Sequence, residues 1–472
     1  MTRTCPHGKL TTFLAQGIPS EQIEPLTVVV REVCSQLIIQ HYIPSLRDQW
    51  LIGFDEMRGI ALGSGVPLER VVFLNVWEDL AAIGHIGKSG DRRGGRPPQP
   101  QDADESISAF FSPTATVDGE TVLAHSLSSS KKIQDENLMV YLEIRYPEAD
   151  FPTIFTVVEA GMISGCGMNS AGLAVTANCL WSTDDHLPQT GRGFYFPVTC
   201  MQRFLLESSD IHEAQAAIHD MRRHASKHVL LADESRSLSL ELGPEHVFTH
   251  HARYDSKAKV HTNHFQSFEA FQWRRQILDR YQGKSSQARL YRLEHLIDDR
   301  VPDRMSRQDI VDVFSDHNGD VQSICQHNDE GCQDRTTVSF VMFNPKRKTI
   351  SACKGPPCEG QMMHFTLETA AEAAARKQQE EAARRLRGSG GMRRRVREEM
   401  DMETPRSRAP SPPNHRFDGL VYPSPVGVTS SLDAMFSLTT KDFEKLESVR
   451  KEKRKAKEPT GARMKSTKRK EA

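Results

Sequence analysis

No stretch of this 472-residue chain stays apolar for the roughly 20 residues a helix needs to cross a bilayer; the longest runs, such as "TVVV" and "FPTIFTVV", stop far short. Net charge is nearly absent too. The 61 Lys and Arg against 62 Asp and Glu leave a formal charge of -1, so attraction to nucleic acid or an anionic membrane would need a local patch. Nine cysteines are scattered without the close spacings of a disulfide framework or a structural zinc site. An intracellular setting, cytoplasmic or nuclear, is therefore expected, with no metal centre. The opening "MTRTCPHGKL" is not followed by a secretory apolar segment, and the final "KEA" is not a peroxisomal address. P-loop, dinucleotide fingerprint and Gly-x-Ser-x-Gly elbow are all missing, and no cofactor is expected.

What is present divides into three parts. Residues 1–106 hold a helical region, where apolar residues recur at helical spacing from about Ile23 to Gly84 and "GSGVP" separates two helices. It ends in a polar, Gly- and Pro-rich loop, about 85–106. Residues 107–367 carry repeated β patterns, among them "TVLAHSL", "LAVTANCL", "HVLLAD" and "TTVSFVMFN", with a few long helices between them. That order argues for an α+β fold of antiparallel sheets with helices outside. The first two strands flank "DG" at Asp118–Gly119, a hairpin signal, and the first is expected to begin near Ile107. Residues 368–472 are charged and too poor in apolar residues to fold alone. Within 449–472, eleven Lys and Arg face three Glu, a pattern for a polyanion or an import receptor, or for a solvated tail.

"VVEAGMISGCGMNSAGLAVTANCL" (Val157–Leu180), "VHTNHF" (Val260–Phe265) and "KGPPCEG" (Lys354–Gly360) resemble the acyl-coenzyme A:6-aminopenicillanic acid acyltransferase family of N-terminal-nucleophile hydrolases. "DEMRGIALGSGVPLERVVFLNVWED" is similar to that family's helical pro-segment. The resemblance implies a four-layer αββα sandwich and self-cleavage before a cysteine that opens the first core strand. The freed α-amine then serves as base for that same residue. A small-molecule acyl donor and an amine or water acceptor are the implied partners.

At the chemistry the match departs. The family's Gly-Cys falls on Ser106 and Ile107, its hairpin aspartate on Ser128, and a pro-segment arginine on Trp77. Isoleucine is no nucleophile. Ser106 and Ser108 flank the vacancy, and Ser106, where the flexible loop ends, is the better substitute. On this alignment it needs a bulge or slip to face the site, because a one-residue offset turns a strand side chain to the other face. By resemblance Asn263 is an oxyanion donor, or else a buried asparagine fixing a strand end. Glu159 belongs to the pocket floor, Asn169 and Ser170 to a tight turn, and Arg335 either receives an acidic substrate group or forms an ion pair. Two functions follow: an acyltransferase or amide hydrolase impaired at Ile107, or an inactive family member that binds a ligand or partner.

Overall fold

The computed structural model describes residues 35–86, 104–146, 151–189, 193–251, 258–267, 270, 279, 284–300, 304–319, 323–327 and 335–369, with isolated positions between 372 and 379. The loop expected near 85–106 lies almost wholly outside them, as do the basic segment 449–472 and the whole of a second unit, Arg394–Ala472.

After a π turn at Ile38–Tyr42 come helices α1 (Ile43–Gln49), α2 (Leu51–Ser64), α3 (Leu68–Asn75) and α4 (Trp77–Ile86). The "GSGVP" break works as read. Gly65 ends α2 with φ +68°, where a Cβ would be strained, and Pro67 caps α3. Strands β1 (Glu105–Phe111) and β2 (Val122–Ser130) form the expected hairpin, and Gly119 takes a positive φ of 67°. Two details differ from the sequence reading. The connection spans 112–121, longer than a tight turn, because Thr116 pairs with Met305 on the way. The strand also begins at Glu105, which is held by Gln326 and by Arg289 and Arg335.

There follow α5 (Lys131–Asp135), β3 (Met139–Ile144), β4 (Ile154–Glu159), β5 (Cys166–Asn169), β6 (Ala174–Cys179), α6 (Met201–Leu205) and α7 (Ile211–Asp220). Beyond them lie β7 (Lys227–Ala232), β8 (Ser237–Leu242), β9 (Val247–Thr249), β10 (Ala258–His261), α8 (Lys284–Arg300), α9 (Arg307–Phe314), β11 (Arg335–Asn344), β12 (Thr349–Lys354) and β13 (Met363–Thr366). They build a six-stranded sheet, β10-β1-β2-β11-β12-β13, and a seven-stranded sheet, β3-β4-β5-β6-β7-β8-β9. Every adjacent pair is antiparallel.

Strand alternation sorts the apolar residues into three interfaces. Ile107, Ala109, Phe111, Phe340 and Met342 pack outward against Leu293 and Ile297 of α8 and Ile310, Val313 and Phe314 of α9. Phe110, Leu123, Val341 and Phe343 face inward and meet Met168, Ala174 and Leu230 of the other sheet. The outer face of the seven-stranded sheet, through Val175, Val229 and Leu231, packs on α1–α4 and α7. The order of layers is helix, sheet, sheet, helix, an α+β fold of the αββα type. Among the described residues no helix is long and apolar enough to cross a membrane.

Phe343 is fully buried between the sheets. Replacing it with alanine is expected to cost about 3–5 kcal/mol of stability, read by urea unfolding. A loss below about 1 kcal/mol would contradict tight inter-sheet packing at this position.

Candidate active site

The phase of β1 decides which side chain enters the sandwich. Ile107, Ala109 and Phe111 lie in the outer core against α8 and α9, while Phe110 lies between the sheets. With a period of two, Ser106 and Ser108 share the inward face of Phe110. No bulge interrupts β1 where it pairs with β2; Ser106 stands opposite Leu127 and Ile107 opposite Ser126. The facing read from the sequence is therefore reversed. Ile107 belongs to the helix-facing layer, and Ser106 turns into the sandwich without any slip.

Several inward polar side chains converge there. Asn178, near the end of β6, donates from Nδ2 to Ser106 Oγ at 2.8 Å, tying the two sheets together. Asn263, just beyond β10, donates from Nδ2 to Ser106 Oγ and to the Cys179 carbonyl, each at 3.4 Å. Its Oδ1 accepts from the Ser106 amide at 2.9 Å and from Arg289 at 3.1 Å. Arg289 also donates to the Ser106 carbonyl at 3.2 Å. Asn263 thus grips both the backbone and the hydroxyl of one residue.

Buried groups behind Asn178 fix its orientation. His228 Nδ1 lies 2.7 Å from Asn178 Oδ1, and its Nε2 lies 2.9 Å from Ser239 Oγ. Burial drives the His228 ring well below its usual range, so it is neutral. An amide oxygen only accepts, so Nδ1 carries the proton and Nε2 accepts from Ser239. This orients the Asn178 amide with its NH2 toward Ser106. The His228 ring stacks on that of His261, centroids 3.4 Å apart, and His261 Nε2 meets Glu241 Oε1 at 2.9 Å. Ser108 Oγ finds no hydrogen-bond partner among the described residues.

Ser106 opens on a cavity of about 70 Å3 whose lining includes Leu127, His125, Glu159, Cys179 and Lys227. That volume holds a few waters rather than a long acyl chain. Lys227 is fully buried and ion-paired with Glu78 of α4. Burial is the largest influence and opposes its charge, but the neighbouring acidic groups, Glu78 first, together outweigh it and the ammonium is held above its ordinary range. Burial, and then the same carboxylate, pushes the Cys179 thiol well up, so this cysteine is no thiolate. A larger open groove of about 810 Å3 runs past Tyr195, Arg222 and Pro244 to Phe248, away from Ser106.

The other expected residues divide. Glu159 and Trp77 line the cavity. Arg335 pairs with Glu105 at 3.0 Å and is not among the residues lining that cavity. Ser128 stands opposite Glu105 and its hydroxyl meets Thr337 at 3.1 Å, so it is out of phase with Ser106. Asn169 ties the "NSAG" turn to the backbone of Leu206 and Ser208. Sequence reasoning passed over Asn178, although it lies inside the quoted Val157–Leu180 block, and gave no role to His228 or Lys227. The sequence shows no zinc-type spacing, but the fold brings one histidine and cysteine set together from scattered positions. His317, Cys325, His327 and Cys358, spread over three segments, have side-chain donors all within 4.8 Å of one another.

With this geometry in view, the comparison with known families is decisive for membership. Residues 118–358 match the model of the acyl-coenzyme A:6-aminopenicillanic acid acyl-transferase family. The chain belongs to that family. Among solved structures it is similar to a mutant of the conjugated bile acid hydrolase from Clostridium perfringens, at 10% identity and TM-score 0.37, covering 55% of this chain and 92% of that one. It is also similar to penicillin V acylase from Agrobacterium tumefaciens, at 11% identity and TM-score 0.36, covering 55% and 86%.

Burial holds two histidines of this half of the molecule neutral, lowering His125 and His224 to about 4. Unfolding returns each ring to about 6.5, so the unfolded chain binds more protons between these values and stability falls as pH falls through that window. Each ring contributes on the order of 2 kcal/mol of loss by pH 5. Urea midpoints are expected to drop between pH 7 and pH 5. A midpoint unchanged or raised would contradict neutral burial of these rings.

Proposed function

We propose that this chain is an N-terminal-nucleophile acyltransferase or amide hydrolase whose nucleophile is Ser106, released by self-cleavage of the Glu105–Ser106 bond. One observation carries the reading: Ser106 Oγ lies at the mouth of a cavity between the sheets with the carboxamides of Asn178 and Asn263 both donating to it. Family membership supplies the reaction class.

In the cleavage step Ser106 Oγ attacks the Glu105 carbonyl carbon and the peptide C–N bond breaks. The hydroxyl proton passes to the departing nitrogen, leaving an ester and a free α-amine. Water then hydrolyses the ester and releases Glu105 as a carboxylic acid. In turnover the α-amine, ordinarily titrating near 7.7–8.0, takes the Oγ proton as the serine attacks an acyl donor. The leaving amine or thiol departs with that proton, and water or an acceptor amine removes the acyl group from the serine. Asn263 and Asn178, whose amides donate to Ser106 Oγ in the uncut chain, would transfer that donation to the acyl oxygen as oxyanion donors, a role in which one amide contributes about 2.7–4 kcal/mol.

Of the two readings of Arg335, the uncut chain shows the ion pair, with Glu105. Arg289 approaches the same side chain at 3.4 Å. Release of the segment ending in Glu105 would remove this carboxylate from beside both arginines and make room there for an acidic group of the acyl donor, with Glu159 on the cavity wall shaping the rest of the site.

Intact mass and N-terminal sequencing of the purified chain test the proposal. Two fragments with a new terminus at Ser106 are expected, and S106A should remain a single chain without acyl-transfer or amidase activity. Wild-type protein that stays uncut and inert toward acyl thioesters and amides would overturn the reading and favour a ligand-binding family member. In processed enzyme, Asn178→Ala is expected to lower turnover by about 100- to 1000-fold.

A further inference from the structure

A set of four soft and borderline donors lies apart from the cavity, at the other end of the Glu105 contacts. His317 follows α9, Cys325 and His327 sit on the segment 323–327 that leads toward β11, and Cys358 lies in the turn after β12. Backbone hydrogen bonds hold these segments in place: Cys325 donates to the Asp316 carbonyl at 3.0 Å, Thr337 to the Gln326 carbonyl at 2.9 Å, and Gly360 to the Pro356 carbonyl at 2.8 Å.

The distances between donor atoms have a specific pattern. Cys325 Sγ and Cys358 Sγ are 3.7 Å apart, and His317 Nε2 and His327 Nε2 are 3.1 Å apart. His327 Nε2 lies 3.2 Å from Cys358 Sγ and 3.6 Å from Cys325 Sγ. A tetrahedral zinc ion with Zn–S of about 2.3 Å and Zn–N of about 2.05 Å requires edges of about 3.8 Å for S···S, 3.3 Å for N···N and 3.6 Å for S···N. The four observed edges agree to within about 0.4 Å, and the two from His317 to the sulfurs lie within 4.8 Å. On the far side of one ligand an exposed carboxylate, Glu359 Oε1, lies 3.7 Å from His327 Nδ1, longer than a hydrogen bond.

We propose that His317, Cys325, His327 and Cys358 form a structural zinc site. Four protein ligands close the tetrahedron, so no position is left for water or substrate, and the ion's work is to fasten three segments. Binding displaces the two thiol protons to solvent and changes no oxidation state. The ligation also reaches the candidate active site indirectly. Gln326, between two of the ligands, donates to Glu105 Oε2 at 2.6 Å and so holds the residue that precedes Ser106. The zinc inference itself stands on the ligand geometry and does not depend on the catalytic proposal.

The test uses the full chain purified under reducing conditions, with zinc measured by elemental analysis and cobalt(II) titrated into chelator-treated protein. One zinc per chain is expected, together with the intense visible bands of tetrahedral thiolate-bound cobalt(II) and a lowered melting temperature after chelation, restored by zinc. Cys325→Ser should abolish the thiolate–cobalt charge-transfer signature of a two-sulfur site. His317→Gln, at an exposed ligand, keeps the test interpretable if the cysteine variant fails to fold, and should lose the bound zinc while remaining folded. Wild-type protein that takes up neither metal, or that keeps zinc equally well in His317→Gln and Cys325→Ser, overturns the site. So does a Cys325–Cys358 disulfide that persists in reducing buffer.

Discussion

The two-residue period of β1 is the constraint on which the site depends. Once Phe110 is buried between the sheets and Ile107, Ala109 and Phe111 are buried under α8 and α9, the direction of Ser106 is no longer free. A shift by one residue would move three large apolar groups out of their layers and put Ile107 among amides and imidazoles. The hydrophobic cores on both faces of the six-stranded sheet thus hold the serine in the sandwich, far more firmly than any hydrogen bond to its hydroxyl.

That serine meets a polar cluster enclosed by the two sheets. Asn178, His228, Ser239, His261 and Glu241 are all buried, and such groups are costly unless each is satisfied. Here they satisfy one another in sequence: Ser239 to His228, His228 to Asn178, Asn178 to Ser106. The chain of contacts crosses from the seven-stranded to the six-stranded sheet at the end where the apolar inter-sheet core stops. Two carboxamides donating to a single hydroxyl fix the position of that oxygen and occupy one of its lone pairs or more. The Lys227–Glu78 ion pair closes the same end against α4, beside the apolar contacts through which α1–α4 pack on the seven-stranded sheet.

Much of the architecture was legible in the sequence. The Gly65–Pro67 break, the hairpin around Asp118–Gly119 and the alternating strands of 107–367 carry local signals that survive in the structure. The Asn263 position was legible through its motif. The facing of Ser106 was not, because the motif was aligned by residue type, Gly-Cys on Ser106–Ile107, whereas the side-chain direction is set by phase against Phe110 and Ile107, which only packing reveals. Asn178 and His228 are separated by 50 residues and meet through pairing of β6 with β7, with no local pattern to announce it. The His317, Cys325, His327 and Cys358 group escaped for the same reason, since its spacing is irregular and its three segments are brought together by the β11–β12 hairpin and the end of α9.

The central claim is that the nucleophile of this family site has moved to a serine one residue before the isoleucine. Covalent labelling tests it most directly. Purified protein is treated with a serine-reactive acyl fluorophosphonate, digested and mapped by mass spectrometry. The account predicts one dominant adduct on Ser106, lost in Ser106→Ala and weakened in Asn263→Ala. An adduct on Ser108 or Cys179, or labelling no faster than that of the unfolded chain, would contradict it.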